Sequence, residues 1–252
     1  MESLGFDIIH QTPWSSLLLG IVAIFAGAIV QGSTGLGLGM IAAPILLIID
    51  PVFVPGPLLM LAMIVSFLMV IREKQSIDGP GLTVALSGRI PGTILAAFTI
   101  AAIPLALYGL IFGLMVLAAV VLSISKWKIR SSGKNLFLAG LTSGYMGTLT
   151  SIGAPPMALA YQYKPAAVIR STLAAYFLIG STLSIITLII FKVFLLDHLL
   201  VGAIFVPPLL IGFKMSSYVV ARMNTSLVRI AILILSGISA LTLIARSIYA
   251  FL

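Results

Sequence analysis

Apolar residues run along this chain in blocks too long and too unbroken for a surface that faces water. About twenty such residues cross the hydrocarbon core of a bilayer as a helix. By that rule the pattern predicts segments at 15–32, 38–49, 53–71, 80–102, 105–124, 136–149, 152–162, 166–191, 199–220 and 227–246. Three of them (38–49, 136–149 and 152–162) are too short to span comfortably, and each borders a stretch rich in glycine or proline. The expected fold class is all-α, a polytopic membrane protein.

The order of segments repeats. Thr34-Gly35-Leu36-Gly37 corresponds to Thr150-Ser151-Ile152-Gly153, Asp50-Pro51 to Lys164-Pro165, and Pro91-Gly92 to Pro207-Pro208. Each half reads as a short returning pair followed by three crossings. An odd number of crossings turns the second half upside down relative to the first, so the pattern predicts two inverted-topology repeats. The expected organisation is a tail at 1–14, a first repeat at 15–125, a basic linker at 126–135 and a second repeat at 136–252. Inverted repeats with glycine-interrupted short segments at matching places point to a secondary transporter.

Composition sharpens this. Of the 252 residues 61% are hydrophobic and 8% charged, against roughly 25% charged in a soluble domain, so lipid is the solvent for most of the surface. The net charge of +8 does not imply nucleic acid, because the basic residues sit at the ends of apolar runs. Their placement predicts orientation. Arg72, Lys74, Lys126, Lys128, Arg130, Lys134, Lys164, Arg170 and Arg222 fall on one side, read as cytoplasmic, while Lys192 and Arg246 fall on the other. Trp14 and Trp127 fit the two interfaces. Glu2 and Asp7 precede the first run with no Lys or Arg beside them, which is unlike a cleaved signal peptide, and both termini are expected outside an inner membrane. The absence of cysteine removes thiolate chemistry.

The stretch Gln31-Gly32-Ser33-Thr34-Gly35-Leu36-Gly37-Leu38-Gly39 breaks the apolar pattern. Irregular backbone at membrane depth survives only against protein or a water-filled cavity, and a helix restarting there presents free N–H groups suited to an anion. In the second half Pro155-Pro156 restarts a helix where no N–H is needed. The expected binding set is Gln31, Ser33, Thr34, Gly35, Gly37 and Gly39 with Thr148, Thr150, Ser151 and Gly153. Close helix packing through Gly35-x-x-x-Gly39 is the competing reading. A nucleotide loop fails, since no strand precedes the glycines and no acidic residue follows at the needed spacing.

The elements GSTGLGLGMIAAPIL and GTLTSIGAPPMAL, opening the two halves, resemble those of the TauE/SafE family of sulfite exporters, and the resemblance covers nearly the whole chain. It departs from the usual G-x-G-G-G at Leu38, Ala154 and Pro155. The resemblance implies movement of small sulfur-containing anions such as sulfite, sulfonates or sulfoacetate-like compounds.

Arg89, near the middle of its run and two residues before Pro91, is a candidate clamp for such an anion; the alternative is that it snorkels to an interface. Lys214 is a second, weaker candidate, and Arg229 reads as interfacial. Pro207-Pro208 is expected to break its helix, and Pro91 to kink its own. Tyr145, Tyr161, Tyr163 and Tyr176 read as packing or belt residues able to hydrogen-bond a ligand. None of Glu2, Asp7, Asp50, Glu73, Asp78 and Asp197 sits mid-span, and His10 and His198 read as loop residues. The function expected is therefore an alternating-access carrier of small anions. An anion channel is its nearest rival, with a scaffold and a membrane-embedded enzyme behind. The enzyme lacks a nucleophile with a base, paired carboxylates or a metal cluster. The expected partners are a small anion, lipid, a coupling proton or sodium ion, and a second copy of the chain; no cofactor is expected.

Overall fold

The computed structural model describes residues 12–125, 127–194, 196–219 and 225–249. Expectations for Glu2, Asp7, His10, Lys126 and Arg222 lie outside these, as does that for the Arg229 side chain. The described residues form eleven α-helices: α1 (Trp14–Thr34), α2 (Leu38–Ile49), α3 (Gly56–Glu73), α4 (Gly79–Ala102), α5 (Leu105–Ile124), α6 (Gly133–Thr150), α7 (Ala154–Tyr161), α8 (Ala166–Ile190), α9 (Leu196–Ile204), α10 (Val206–Val219) and α11 (Thr225–Tyr249). Six helical stretches are long and apolar enough to cross a membrane. Large apolar side chains such as Leu18, Ile94, Phe98, Ile190 and Ile238 face outward, while hydroxyls such as Thr93, Ser143, Thr148, Thr172 and Ser184 are buried. Lipid accounts for that inversion of the soluble pattern.

The short pairs are unequal. At 1.5 Å per residue, α1 with 21 residues reaches about 31 Å, long enough to span alone, whereas the 12 residues of α2 reach about 18 Å. In the second half the run predicted at 136–149 is longer than expected. Ser132 accepts the N–H of Asn135 and starts α6 at Gly133, giving 18 residues. Its partner α7 has eight.

Prolines act according to their place in a helix. In α10 Pro207 and Pro208 occupy the first turn, where no N–H is missed, and α9 and α10 meet at a bend of 46°. Pro91 lies inside α4, and α4 continues through it as one helix rather than ending.

The most extensive packing joins the two halves: α4 with α6, α1 with α10, α3 with α8, and α5 with α11. Glycine lets the first pair approach to backbone contact. A Cβ at Gly140 would strike the Ala85 carbonyl, one at Gly144 the Arg89 carbonyl, and one at Gly92 the Leu141 carbonyl. Arg72, Lys164 and Arg170 gather at one end, the basic end. Arg170 pairs with Glu73 at 2.7 Å, Arg72 with Glu73 at 3.0 Å and Lys164 with Asp78 at 3.5 Å. Gln162 holds the linker there by donating to the Trp127 carbonyl.

Gly140→Val should destabilise the chain by roughly 1–3 kcal/mol, the usual range for overpacking, and lower the thermal midpoint in detergent. Gly237, on α11 with open space around its Cβ position, should gain about 1 kcal/mol when changed to Ala. A neutral Gly140→Val would contradict the backbone contact.

Candidate anion site

Both predicted breaks are present, and they are built alike. Gly35 takes a left-handed conformation (φ 89°) and donates its N–H to the Gln31 carbonyl at 2.8 Å. Ser151 does the same (φ 62°), donating to the Gly147 carbonyl at 2.9 Å. Before each, a threonine hydroxyl turns back to close the helix end. Thr34 Oγ1 accepts the Leu36 N–H and has the Leu36 and Val30 carbonyls as acceptors for its proton, at 2.7 and 3.0 Å; Thr150 Oγ1 accepts the Ile152 N–H and donates to the Met146 carbonyl. Gly37, at φ 136°, completes the first turn.

The two tips meet. Gly39 lies so close to the Ser151 carbonyl that no Cβ fits between them. Around this contact a cavity is lined by Gln31, Gly37, Gly39 and Met40 from the first break, Gly147, Ser151, Ile152, Gly153 and Ala154 from the second, and Leu59, Ala62, Phe177, Ser181 and Arg89 from α3, α8 and α4. Counted as space open to the centre of a water-sized sphere, it holds about 40 Å³. A single water needs roughly 10–15 Å³ on that measure, so the cavity suits a few waters or one small anion.

Arg89 is the charge of the site. It is 2% exposed, and its Nε and Nη1 are buried without a hydrogen-bond partner. Its guanidinium lies 4.8 Å from the centroid of the Tyr176 ring, a contact worth about 2 kcal/mol when desolvated. Burying an ion costs several kcal/mol even after relaxation, so the ring does not balance the charge; an anion in the cavity would. Room for the guanidinium comes from α8, because a Cβ at Gly180 would fall inside it. The snorkelling alternative therefore does not describe Arg89.

Of the residues expected from sequence, Gln31, Gly37, Gly39, Arg89, Ser151 and Gly153 line this cavity. Gly35, Thr34 and Thr150 shape the breaks behind it. Ser33 donates to the Ile29 and Ser216 carbonyls between α1 and α10. Thr148 shares its hydroxyl with Thr93 and Ser184 one turn from Arg89, and Lys214 is exposed on α10. Backbone donors are fewer than expected. Gln31 Oε1 already accepts the Leu38 N–H at 3.0 Å, and Pro155 and Pro156 have none. This leaves Gly39, Met40 and Ala154 as first-turn N–H groups without an intrahelical acceptor. Tyr176, Gly180 and Ser181 complete the site. Tyr176 was expected as a packing or belt residue able to hydrogen-bond a ligand, and for Gly180 and Ser181 a lone glycine within the 25-residue apolar α8 was the available signal.

A wider cavity, about 480 Å³ on the same measure, shares Gly37, Met40 and Ala154 with the first and extends past Leu122, Ser125 and Gln162 toward the basic end. A third, about 180 Å³, lies among Pro55, Tyr108, Phe194 and His198 and shares no lining residue with the anion cavity.

The family model described as "Sulfite exporter TauE/SafE" matches residues 19–243. No curated protein and no solved structure matches.

Gly180→Ala should displace the guanidinium while leaving the fold intact. Binding of sulfite to purified protein should weaken about tenfold, the effect of misplacing one charge-assisted hydrogen bond, and a full-affinity variant would remove Gly180 from the site.

Proposed function

The chain belongs to the sulfite exporter TauE/SafE family, a family of membrane anion transporters rather than enzymes, and from that premise we propose that it is a secondary carrier of sulfite-sized oxyanions. The anion binds between the two helix breaks with Arg89 as its counter-ion. One observation carries the reading: a buried guanidinium with two unpartnered nitrogens facing a cavity shared by both breaks. Sulfite or a short sulfonate fits this volume, whereas an aromatic sulfonate would need the cavity to open.

Alternating access between inverted repeats is part of the proposal. In its support, α1 ends at the basic end, where Arg72 reaches the Gly32 carbonyl, while its counterpart α6 begins there, where Asn135 donates to the Arg130 carbonyl. Exchanging the halves turns the α4–α6 packing into the α10–α1 packing and leaves α3–α8 and α5–α11 unchanged. The wide cavity adjoins the site from the basic end, which corresponds to a state facing that end. The basic end is the cytoplasmic one in this reading, and the membrane the inner membrane.

Sulfite flux into proteoliposomes tests the function. Arg89→Gln should lower flux and affinity about thirtyfold or more, since removing one member of a buried charge pair costs 2–5 kcal/mol. Thermal stability should hold or rise, because a desolvated charge is gone. Loss of stability with unchanged affinity would assign Arg89 to structure alone. Unitary currents in a planar bilayer would favour the channel.

A further inference from the structure

Building on the oxyanion site just proposed, we infer that the cavity binds the singly charged, protonated form of its substrate, hydrogensulfite rather than sulfite, so that each anion carries its own proton through the membrane.

Charge is the first ground. Arg89 is the one ionisable side chain among the described lining residues. From α8 the neighbouring Tyr176 presents its ring face and sends its hydroxyl to the Gly140 carbonyl. On α6 the Tyr145 hydroxyl is turned to Thr99. Arg72 and Glu73 of α3 and Asp78, which caps α4, are held in ion pairs at the basic end with Lys164 and Arg170, and Lys214 of α10 is exposed. One fixed positive charge neutralises one negative charge. A dianion would leave a net charge in a desolvated space, which is costly. Helix N-termini offset only part of that here, because Gln31 takes the first N–H of α2 and prolines occupy the second and third positions of α7, leaving the neutral amides of Gly39, Met40 and Ala154.

The orientation of the hydroxyls is the second ground. Carbonyl oxygens only accept, so Ser181 Oγ, 2.5 Å from the Phe177 carbonyl, must donate there. Ser151 Oγ likewise donates to the Pro55 carbonyl at 3.3 Å. Both lining hydroxyls direct their protons to backbone and have lone pairs left as acceptors. A fully deprotonated oxyanion has only acceptors and gains no hydrogen bond from them. An anion retaining an O–H donates to Ser181 or Ser151 while its charged oxygens face Arg89. At alkaline pH sulfite takes one proton from water on binding and returns it on release, so no buried carboxylate relay is needed.

The experiment measures binding of radiolabelled sulfite to the purified protein between pH 5.5 and 8.5, with methanesulfonate, an anion of fixed single charge lacking an acidic proton, as competitor. Sulfite affinity should fall about tenfold per pH unit once its second ionisation is passed, while methanesulfonate affinity stays flat. Ser181→Ala should weaken sulfite about tenfold at pH 6 and leave methanesulfonate within roughly threefold. Sulfite affinity that is flat or rises with pH would overturn the inference while leaving the anion site standing. An equal loss of both ligands in Ser181→Ala would overturn the acceptor role. Failure of both anions to bind the unaltered protein at any pH would instead sink the site itself, and the inference with it.

Discussion

Hydrocarbon offers nothing to an unpaired amide or carbonyl, and the contact between the two helix breaks rests on that constraint. Each break interrupts a hydrogen-bond ladder inside the membrane and must find partners for the groups it frees. The chain does this twice with the same parts. A left-handed residue, Gly35 or Ser151, returns its N–H to the preceding turn, and a threonine hydroxyl, Thr34 or Thr150, occupies the remaining carbonyl and the next amide. Only after that repair do a few first-turn amides remain for a solute. The glycines beyond the caps let the two tips touch, and the residual space between them becomes the cavity.

The site is unequal where its frame is paired. Arg89 of α4 has its sequence counterpart at Phe205, which is buried and packs edge to face on Phe53 with ring centroids 5.6 Å apart. One half supplies the charge, and the other supplies an apolar wedge beside Gly20 and Leu46. The two breaks line the cavity together, and its one ionisable side chain among the described lining residues comes from the first half alone.

Much of this was legible in the sequence because membrane burial writes long signals. The two breaks and most of the apolar helices depend on local composition and are found where the pattern put them, whereas the single run expected at 199–220 is two helices meeting at 46°. The glycines served both readings weighed for them, at different positions: Gly35 and Gly37 make a break, whereas Gly140 and Gly144 make a close helix contact. Hydroxyls were less readable. Ser33, Thr34 and Thr150 resemble free donors in a string of letters, yet their protons go to backbone, and direction is a tertiary property. Tyr176, Gly180 and Ser181 belong to a helix whose sequence carries no break, and only its packing against α4 brings them to Arg89.

The four broadest helix interfaces all run between the halves rather than within them. While the ribosome is still extending the chain, α4 therefore waits in the bilayer with its glycine face bare and its arginine unshielded until α6 and α8 arrive. The nascent first half is an open surface whose packing partners arrive only with the last-made helices.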